Sequence, residues 1–440
     1  MLSIIYLSSM KYSKKIKQLL SLLSKSGFKI DILDYSGKFF DEPPIFIYFG
    51  KKTVKTESRF FWNYDYIFGG SSFFSREEAL LKCCMEVVER LSHHTIRKRE
   101  IKIFEKKPPL FENNFNLGYY GKIKPGTIHA WVKGIDLTNN KVCLIPAQLI
   151  YPYFKTSDFG EKRIMPKVQG INGTAAGLSM DFVLLKSIYE IVERDAYNTL
   201  FLTRSLPKKI NLDVIRDKKI EKLIELFKNY SLSSYVFEIT NDLQIPVFMT
   251  VLVDLTGVGP VVNLGFRAGF ESKKTLLGSL EDAFFSRILN RNIKILQPDS
   301  KILKTISRLK IGSKTKVGSY YLRYGTLKSI QYLLSKIDKI HEKKSLPTKS
   351  LGLKLNLRQE LKYVVGLLKS NGYTIYYKEI TLPKLIKAGF CAYKVVVPGL
   401  QPPLRHQSSD LIFQSRLKKV KIYHQNKIYW TDRREKLGGV

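Results

Sequence analysis

The sequence predicts a mixed α/β (α+β) protein, and three observations lead to this fold class. A unit made of strands, a glycine turn and an acidic helix occurs three times along the chain. Long segments carry apolar residues at helical spacing, whereas the short apolar runs between glycines are typical of strands. With 440 residues, 44% of them hydrophobic, the chain can bury one large core. We expect a small β-α-β extension over 1–60, one integrated domain over 61–420 and a tail over 421–440.

The first sixty residues contain the elements of the small extension. Residues 3–8 form a short apolar run that is typical of a buried strand. Residues 11–26 repeat isoleucine and leucine at helical spacing, and Gly27 provides a helix stop before the strand-like FKIDIL. This order predicts the β-α-β start.

The three repeated units follow in sequence. In the first, a glycine turn opens a helix with Ser75 as its N-cap and with Glu77 and Glu78 in its first turn. In the second, HAWVKGIDLTNNKVCLIPAQLIY predicts two strands around Asn139 and Asn140, and GINGTAAG predicts a turn into the next helix. In the third, QIPVFMTVLVDLTGVGPVVNLGF predicts paired strands before the helix of SKKTLLGSLEDAFFSRIL. The repetition favours one integrated domain.

The C-terminal part completes the predicted elements. Residues 300–350 are rich in lysine and mostly helical in pattern. LNLRQELKYVVGLLKS predicts a helix that ends near Gly372, before a strand in TIYYKEI. VVVPGLQPPL predicts a strand that its prolines interrupt.

Two nearly identical phrases, CCMEVVERL and SIYEIVERDAYNTL, carry the chemical signal. Glu86 with Glu89, and Glu190 with Glu193, lie three residues apart and therefore on one face of a helix. Their apolar neighbours indicate partial burial, and buried carboxylates require a counter-charge. Two such helices facing each other would offer four carboxylates to Mg²⁺, which prefers oxygen ligands and bridges substrate phosphates. For a single copy of the motif, the alternative is an ordinary helix face whose glutamates lie in water. The presence of a second copy favours a binding site.

These motifs resemble those of the YcaO family over residues 60–417. The resemblance rests on GG-SS…EVVER, AWVKGIDL…VCLIPAQLIY, INGTAAG…SIYEIVERDA and KVVVPGLQP, in that order. It implies a YcaO fold in which ATP and Mg²⁺ bind between acidic helices. It further implies activation of a peptide-backbone amide: a nucleophile adds to the carbonyl, ATP phosphorylates the oxyanion, and phosphate leaves. A neighbouring cysteine, serine or threonine would give an azoline, and sulfide a thioamide.

The resemblance also implies residue roles, which agree with the dependence of phosphoryl transfer on positioning and charge. Arg90, Arg194 and Arg287 would contact phosphates or fix the carboxylates. No residue is assigned to proton transfer. The implied magnesium ligands are Glu86, Glu89, Glu190 and Glu193, and the cofactor-binding set adds Lys82, Arg90, Asn172, Ser187, Arg194, Asp282 and Arg287.

Several positions depart from the family pattern. Lys82 stands where serine is usual, Leu178 where asparagine is usual, and Phe182 replaces a glutamate, although Asp181 is adjacent. Phe285 stands in place of a glutamine, and the chain ends in REKLGGV and not in a proline-rich tail. Apolar packing would explain Phe182 and Phe285, and Lys82 could offer a point charge to a phosphate. These changes keep open a YcaO-fold scaffold or substrate-binding subunit without ATP turnover.

Composition excludes several other classes. The four cysteines lack zinc or disulfide spacing, the six histidines lack a metalloprotease motif, and no P-loop occurs. The sequence shows neither a secretory signal nor a membrane-spanning run, so we expect a cytoplasmic protein. The net charge of +36 is spread along the chain, which favours a solvated basic surface over a nucleic-acid partner.

The sequence therefore predicts an ATP- and Mg²⁺-dependent cyclodehydratase that forms azolines in a ribosomally made peptide. Thioamide formation and a degenerate scaffold are the alternatives. The expected partners are a precursor peptide or protein and a separate leader-peptide-binding or sulfur-delivery protein, and a homodimer stays open. The sequence identifies neither the peptide nor the nucleophile.

Overall fold

The computed structural model describes most of the chain. The described residues are 13–25, 30–38, 40–52, 66–104, 128–152, 154–161, 172–203, 205–256, 260–296, 340, 342–343, 355–403 and 412–424. Residues 3–8, Gly27 and most of the lysine-rich segment 300–350 lie outside these ranges.

The sequence predicted five of the described helices, which begin at Ser13, Arg76, Met180, Ser272 and Leu357, and did not predict the other four. The described helices are α1 (Ser13–Lys25), α2 (Arg76–His94), α3 (Ala147–Ile150), α4 (Met180–Thr203), α5 (Lys218–Asn229), α6 (Ser272–Leu296), α7 (Leu357–Ser370), α8 (Pro383–Lys387) and α9 (Gln414–Tyr423). Within the described ranges, no helix combines the length and apolarity that crossing a membrane requires.

The strands follow the same order along the chain. They are β1 (Ile30–Asp34), β2 (Phe46–Lys52), β3 (Tyr66–Ser72), β4 (Ile101–Ile103), β5 (Ala130–Asp136), β6 (Lys141–Pro146), β7 (Thr174–Gly177), β8 (Lys208–Ile210), β9 (Leu232–Glu238), β10 (Val247–Asp254), β11 (Val262–Ala268), β12 (Glu342–Lys343), β13 (Tyr376–Glu379) and β14 (Cys391–Val396).

The described strands form three sheets. Their orders are β1-β2-β3, β11-β10-β9-β8-β12 and β4-β5-β13-β14-β7, with β6 paired to β5. Only β8 and β12 are parallel among the described pairs. The first sheet joins β2 to β3 by backbone hydrogen bonds, so it crosses the predicted boundary at residue 60.

Local sequence signals set the helix ends and the hairpin as predicted. The Ser75 hydroxyl caps α2 by accepting a hydrogen bond from the Glu78 backbone N–H at 3.2 Å. Asn140 takes a left-handed φ of 53° between β5 and β6, and Gly372 takes a φ of 81° after α7. Two expectations were wrong in part: Gly69 and Gly70 of the first predicted glycine turn belong to β3, and within GINGTAAG, Thr174–Gly177 form β7 and not a turn. The residues of β7 are buried and pair with β14, which overrides the turn propensity of glycine.

In the first and third units, a glycine lets a strand pack directly against the backbone of a helix. A Cβ on Gly70 would lie 2.2 Å from the Cys83 nitrogen in α2. A Cβ on Gly265 would lie 2.2 Å from the Ala283 nitrogen in α6. The same helix–strand crossing therefore occurs twice, which confirms the repeated unit and explains its glycines.

The packing of the two acidic helices positions the site. Helix α2 contacts β2 and β3 of the first sheet and also β7 and β14. Helix α4 contacts the same β7 and β14 on one side and β10 and β11 on the other. Since both helices rest on β7 and β14, their acidic motifs are brought together over these two strands.

Candidate functional site

The first glutamate of each repeated motif is held by the backbone N–H of a glycine that precedes its helix, Gly69 in β3 and Gly173 in the turn before β7. The Gly69 backbone N–H donates to Glu86 Oε2 at 2.9 Å, and the Gly173 N–H donates to Glu190 Oε2 at 3.1 Å. A hydrogen bond from the backbone fixes the direction of the carboxylate. The recurrence of a glycine before each of these two acidic helices therefore has a physical reason.

Arg90 neutralises the glutamates of its own helix. Its Nη2 donates to Glu86 Oε1 at 3.2 Å, and its Nε lies 3.7 Å from Glu89 Oε1. Burial would lower the pKa of Arg90, but Glu89, Glu86 and Glu190 outweigh burial and raise it. The guanidinium therefore stays charged among three carboxylates, two from α2 and one from α4.

Glu89 lies where the two acidic helices meet. It is 9% exposed, and burial is the main cause that raises the pKa of Glu89 to about 7. Glu190 and Glu86 raise it further, against the effect of Arg90 and Lys186. A carboxylate with so high a pKa is costly to ionise without a cation nearby. The structure thus brings the first and second motifs together, as predicted.

Glu193 belongs to a second charged group between α4 and β11. Its Oε1 accepts a hydrogen bond from the Ala268 N–H at 2.8 Å, and burial raises the pKa of Glu193 to about 7. Arg267 and Arg194 oppose that rise and Asp282 adds to it. Arg267 Nη2 also donates to Asp282 Oδ1 at 2.7 Å, so this arginine neutralises both carboxylates.

The four glutamates share one region but do not form a ready-made metal cage. In the part of the chain that the structure describes, no group of three or more His, Cys, Asp or Glu side chains is close enough to hold a metal ion. Backbone N–H groups and Arg90 pair with the carboxylates, which limits their mutual repulsion. The four magnesium ligands therefore stay a prediction.

Two buried polar atoms beside Glu190 fit a polar ligand. Ser187 Oγ and Asn172 Oδ1 are buried and have no hydrogen-bond partner among the described residues. Ser187 lies one helical turn before Glu190, and Asn172 directly precedes Gly173, whose N–H binds that glutamate. Buried polar atoms without partners are uncommon, and a nucleotide or its hydrated magnesium bound beside Glu190 would supply the missing bonds if it reached these two atoms. The oxygen-rich donor set suits Mg²⁺.

Arg194 extends this region on α4. Its Nη2 lies 4.0 Å from Glu190 Oε1, and its side chain is 35% exposed. The guanidinium is thus close to the carboxylate and also accessible from outside, as a phosphate-contacting arginine requires.

Lys82 joins two of the acidic helices. Its Nζ lies 2.9 Å from Glu78 Oε1 and 3.7 Å from Glu281 Oε2, and it donates to the Ser71 carbonyl at 3.1 Å. Lys82 therefore bridges α2 to α6, and 38% of its side chain stays exposed.

Arg287 is engaged elsewhere, although the resemblance implied that it would contact phosphates or fix the four glutamates. Its Nε lies 2.8 Å from Glu42 Oε2, its Nη2 lies 2.9 Å from Asp254 Oδ2, and its Nη1 donates to the Pro260 carbonyl. The residue is 5% exposed. Its guanidinium instead ties α6 to β10 and to the loop before β2.

The apolar replacements differ in their environment. Phe285 stacks on Phe49 with ring centroids 6.3 Å apart and lies against Gly69, so apolar packing does explain it. Phe182 is 44% exposed and Leu178 is 37% exposed, so packing does not explain these two. They lie at the start of α4, where the resemblance led us to expect polar side chains.

Sequence reasoning missed two cations of the site. Lys394 on β14 is 3% exposed and donates a hydrogen bond to the Asn172 carbonyl. Burial lowers the pKa of Lys394 to about 7, against the effect of Glu190 and Glu89. Its position as the first residue of KVVVPGLQP was the available signal. Arg267 lies in no motif of this kind. Its partners, Glu193 on α4 and Asp282 on α6, are distant from each other in the sequence.

Comparison with known proteins gives similarity in both sequence pattern and fold. Residues 72–401 match the family model described as YcaO cyclodehydratase, ATP- and Mg²⁺-binding. A search of curated proteins found no match.

Solved structures share the fold over most of the chain. A heterocyclase in complex with substrate and cofactor is 16% identical with a TM-score of 0.65; the match covers 88% of this chain and 52% of that one, so this chain spans about half its length. YcaO from Methanopyrus kandleri, bound with AMPPCP and Mg²⁺, is 15% identical with a TM-score of 0.58, covering 89% and 91% of the two chains. The E. coli microcin synthetase McbBCD complex with pro-MccB17 is 15% identical with a TM-score of 0.56, covering 88% and 95%.

Proposed function

The chain belongs to the YcaO family, whose model describes ATP- and Mg²⁺-binding cyclodehydratases, and from this membership we propose that it activates a backbone amide of a ribosomally made peptide and forms an azoline. The proposal depends on one observation above all. Glu89 and Glu190 from two helices converge around Arg90, beside the unpartnered atoms of Asn172 and Ser187. This arrangement supports a site for a nucleotide and its divalent cation.

In the proposed cleft, acidic side chains bind the metal, and basic and polar side chains bind the nucleotide. We propose that Glu86, Glu89, Glu190 and Glu193 hold magnesium. When bound, Mg²⁺ with ATP supplies charge neutralisation and the phosphoryl group that activates the amide oxygen. The other proposed cofactor-binding residues are Lys82, Arg90, Asn172, Ser187, Arg194 and Asp282.

Arginine and polar side chains then orient the nucleotide. Arg194 has an exposed face that suits phosphate oxygens, whereas the half-buried Arg90 is paired with Glu86 and Glu89 and fixes their direction. Asn172 and Ser187 offer a buried acceptor and a buried hydroxyl at one end of the cleft. Burial of Glu89 and Glu193 excludes water, which strengthens each charged interaction.

The assembly around this site is also a proposal. Residues 61–420 would form the YcaO domain, with 1–60 as an N-terminal extension and 421–440 as a tail. The partners would be a precursor peptide and a separate protein that binds its leader, in a cytoplasmic setting. A sulfur-delivery partner would replace the latter if the same activated amide accepts sulfide and gives a thioamide.

A second candidate function is a scaffold or substrate-binding subunit without ATP turnover. The engagement of Arg287 by Glu42 and Asp254 favours it, since that arginine would have to leave two buried ion pairs to reach a phosphate. Phe285 favours it too, because an apolar ring stands where the family pattern has an amide.

Calorimetric titration with a non-hydrolysable ATP analogue, with and without MgCl₂, tests the proposal. We expect magnesium-dependent binding to the natural chain and a loss of roughly tenfold or more in affinity for Glu190→Gln, equivalent to about 1.4 kcal/mol. Glu225→Gln is the matched control, because Glu225 is exposed on α5. If the folded natural chain does not bind the analogue, the enzyme proposal is wrong and the scaffold candidate replaces it.

A further inference from the structure

Lys394 is a lysine placed beneath the two acidic helices. It lies on β14 opposite Thr174 of β7, and its Nζ reaches the carbonyl of Asn172 just before that strand. Only 3% of the residue is exposed. A buried ammonium is costly unless carboxylates or carbonyls compensate it, so its place in the fold requires negative neighbours.

Glu190 and Glu89 are those neighbours. Burial is the main influence on the pKa of Lys394 and lowers it, whereas Glu190 and then Glu89 raise it. The two glutamates come from different helices, and each raises the pKa of Arg90. They repel each other, since Glu190 also raises the pKa of Glu89. Lys394 approaches them from the sheet and therefore serves both helices at once.

The hydrogen bond of Lys394 reinforces the same arrangement. The Asn172 carbonyl accepts from Lys394, and the next residue, Gly173, donates its N–H to Glu190. The Val395 N–H also donates to the Gly173 carbonyl at 2.8 Å. The lysine thus holds the turn that directs Glu190, and it acts on the cleft through other residues.

We propose that Lys394 is a built-in counter-ion of this cleft: its ammonium keeps Glu89 and Glu190 together in the absence of metal and takes a cation position that a divalent ion would otherwise have to fill. Lys394 is in this sense a positioning residue. The part that concerns divalent ions rests on the proposed function, whereas the part that concerns the metal-free protein does not.

Lys378 provides a matched comparison. It is the cross-strand partner of Lys394 in the β13–β14 pair, its side chain is 10% exposed, and it forms an ion pair with Glu100. Lys394 is buried and Lys378 is half-buried, and both are lysines of one sheet that have carboxylate neighbours, but Glu100 follows α2 and lies outside the repeated acidic motifs.

The test measures thermal unfolding midpoints of the full chain in EDTA and in increasing MgCl₂. We expect Lys394→Met to lower the midpoint in EDTA by roughly 3 °C or more, and Mg²⁺ to recover most of that loss. Lys394→Arg should stay close to the natural chain. Lys378→Met should also lose stability, but with no recovery by Mg²⁺ beyond that of the natural chain.

A second variant keeps the test decisive if Lys394→Met folds poorly. Adding Glu190→Gln to Lys394→Met removes the uncompensated charge, so the double variant should be more stable in EDTA than Lys394→Met alone. The proposal is overturned if the double variant shows no gain, or if Mg²⁺ stabilises Lys394→Met no more than Lys378→Met. Failure of the natural chain to bind the ATP analogue would instead overturn the proposed function and leave the EDTA comparison intact.

Discussion

Arg416 and Asp195 form an ion pair in which neither side chain is exposed. Arg416 Nη2 lies 2.6 Å from Asp195 Oδ2, and Arg416 Nε donates to Oδ1 at 2.9 Å. Asp195 also accepts hydrogen bonds from Asn241 Nδ2 and from the Gln401 N–H. Asp195 directly follows the second acidic motif on α4, and Arg416 belongs to α9. This ion pair therefore joins α9, the last described helix, to α4 at the residue that follows the second acidic motif.

Replacing Arg416 by methionine should strongly destabilise the protein. The change leaves Asp195 buried without its counter-charge, and breaking a buried pair in this way typically costs about 3–5 kcal/mol. Urea denaturation followed by circular dichroism measures the free energy of unfolding. Lys418→Met on the exposed face of the same helix is the control and should shift it by no more than about 0.5 kcal/mol. Equal effects of the two variants would contradict a structural role for the pair.

Gly70→Ala and Gly265→Ala should each destabilise the fold by about 3 kcal/mol or more. The added Cβ would meet helix backbone at 2.2 Å in both cases, and a backbone atom cannot rotate away as a side chain can. Gly366→Ala in α7 is the opposite control, because nothing lies within 4 Å of its Cβ position. Alanine should stabilise that helix by about 0.5–1 kcal/mol. Chemical denaturation of the three variants checks both signs, and a mild effect at Gly70 would contradict the close crossing.

Ser187→Ala should separate binding from stability. Its buried hydroxyl has no partner among the described residues, so its removal should leave the free energy of unfolding unchanged or raise it by about 1 kcal/mol. The same change should weaken magnesium-dependent binding of the ATP analogue. Ser279→Ala is the control: its hydroxyl pairs with Thr250 at 2.8 Å and bonds the Leu276 carbonyl, so it should cost about 1–2 kcal/mol of stability. Unaltered affinity in Ser187→Ala would remove this hydroxyl from the site.

Mild acid should destabilise the protein through protonation of His424, which lies at the C-terminal end of α9. Burial lowers the pKa of His424, Lys208 lowers it further and Asp242 opposes both. Because the folded pKa lies below the value of 6.5 for the unfolded chain, this residue's contribution to stability is fully present above pH 6.5 and is lost as the pH falls through the folded pKa. The free energy of unfolding measured from pH 7.5 to 5.5 should therefore decline less in His424→Gln. An identical pH profile for both proteins would contradict this origin.

Local spacing was enough to predict the helices α1, α2, α4, α6 and α7, the Ser75 cap and the paired glutamates. Ser75, the Asn139–Asn140 turn and the end of α7 near Gly372 depend on residues a few positions apart, which the sequence displays directly. The repeated EVVER and EIVER phrases predicted two acidic helices for the same reason. The family resemblance, carried by motifs of this kind, then predicted that the helices would share one cleft.

The partners of the buried charges could not be read from spacing. Arg287 meets Glu42, which is 245 residues away, and Arg416 meets Asp195, which is 221 residues away. Lys394 reaches the acidic cleft only because β14 pairs with β7 beneath α2 and α4. Such contacts depend on the order of strands in a sheet and on which helices cover it. The charge that compensates each carboxylate is therefore a property of the assembled fold, whereas the carboxylates themselves are visible in a few neighbouring letters.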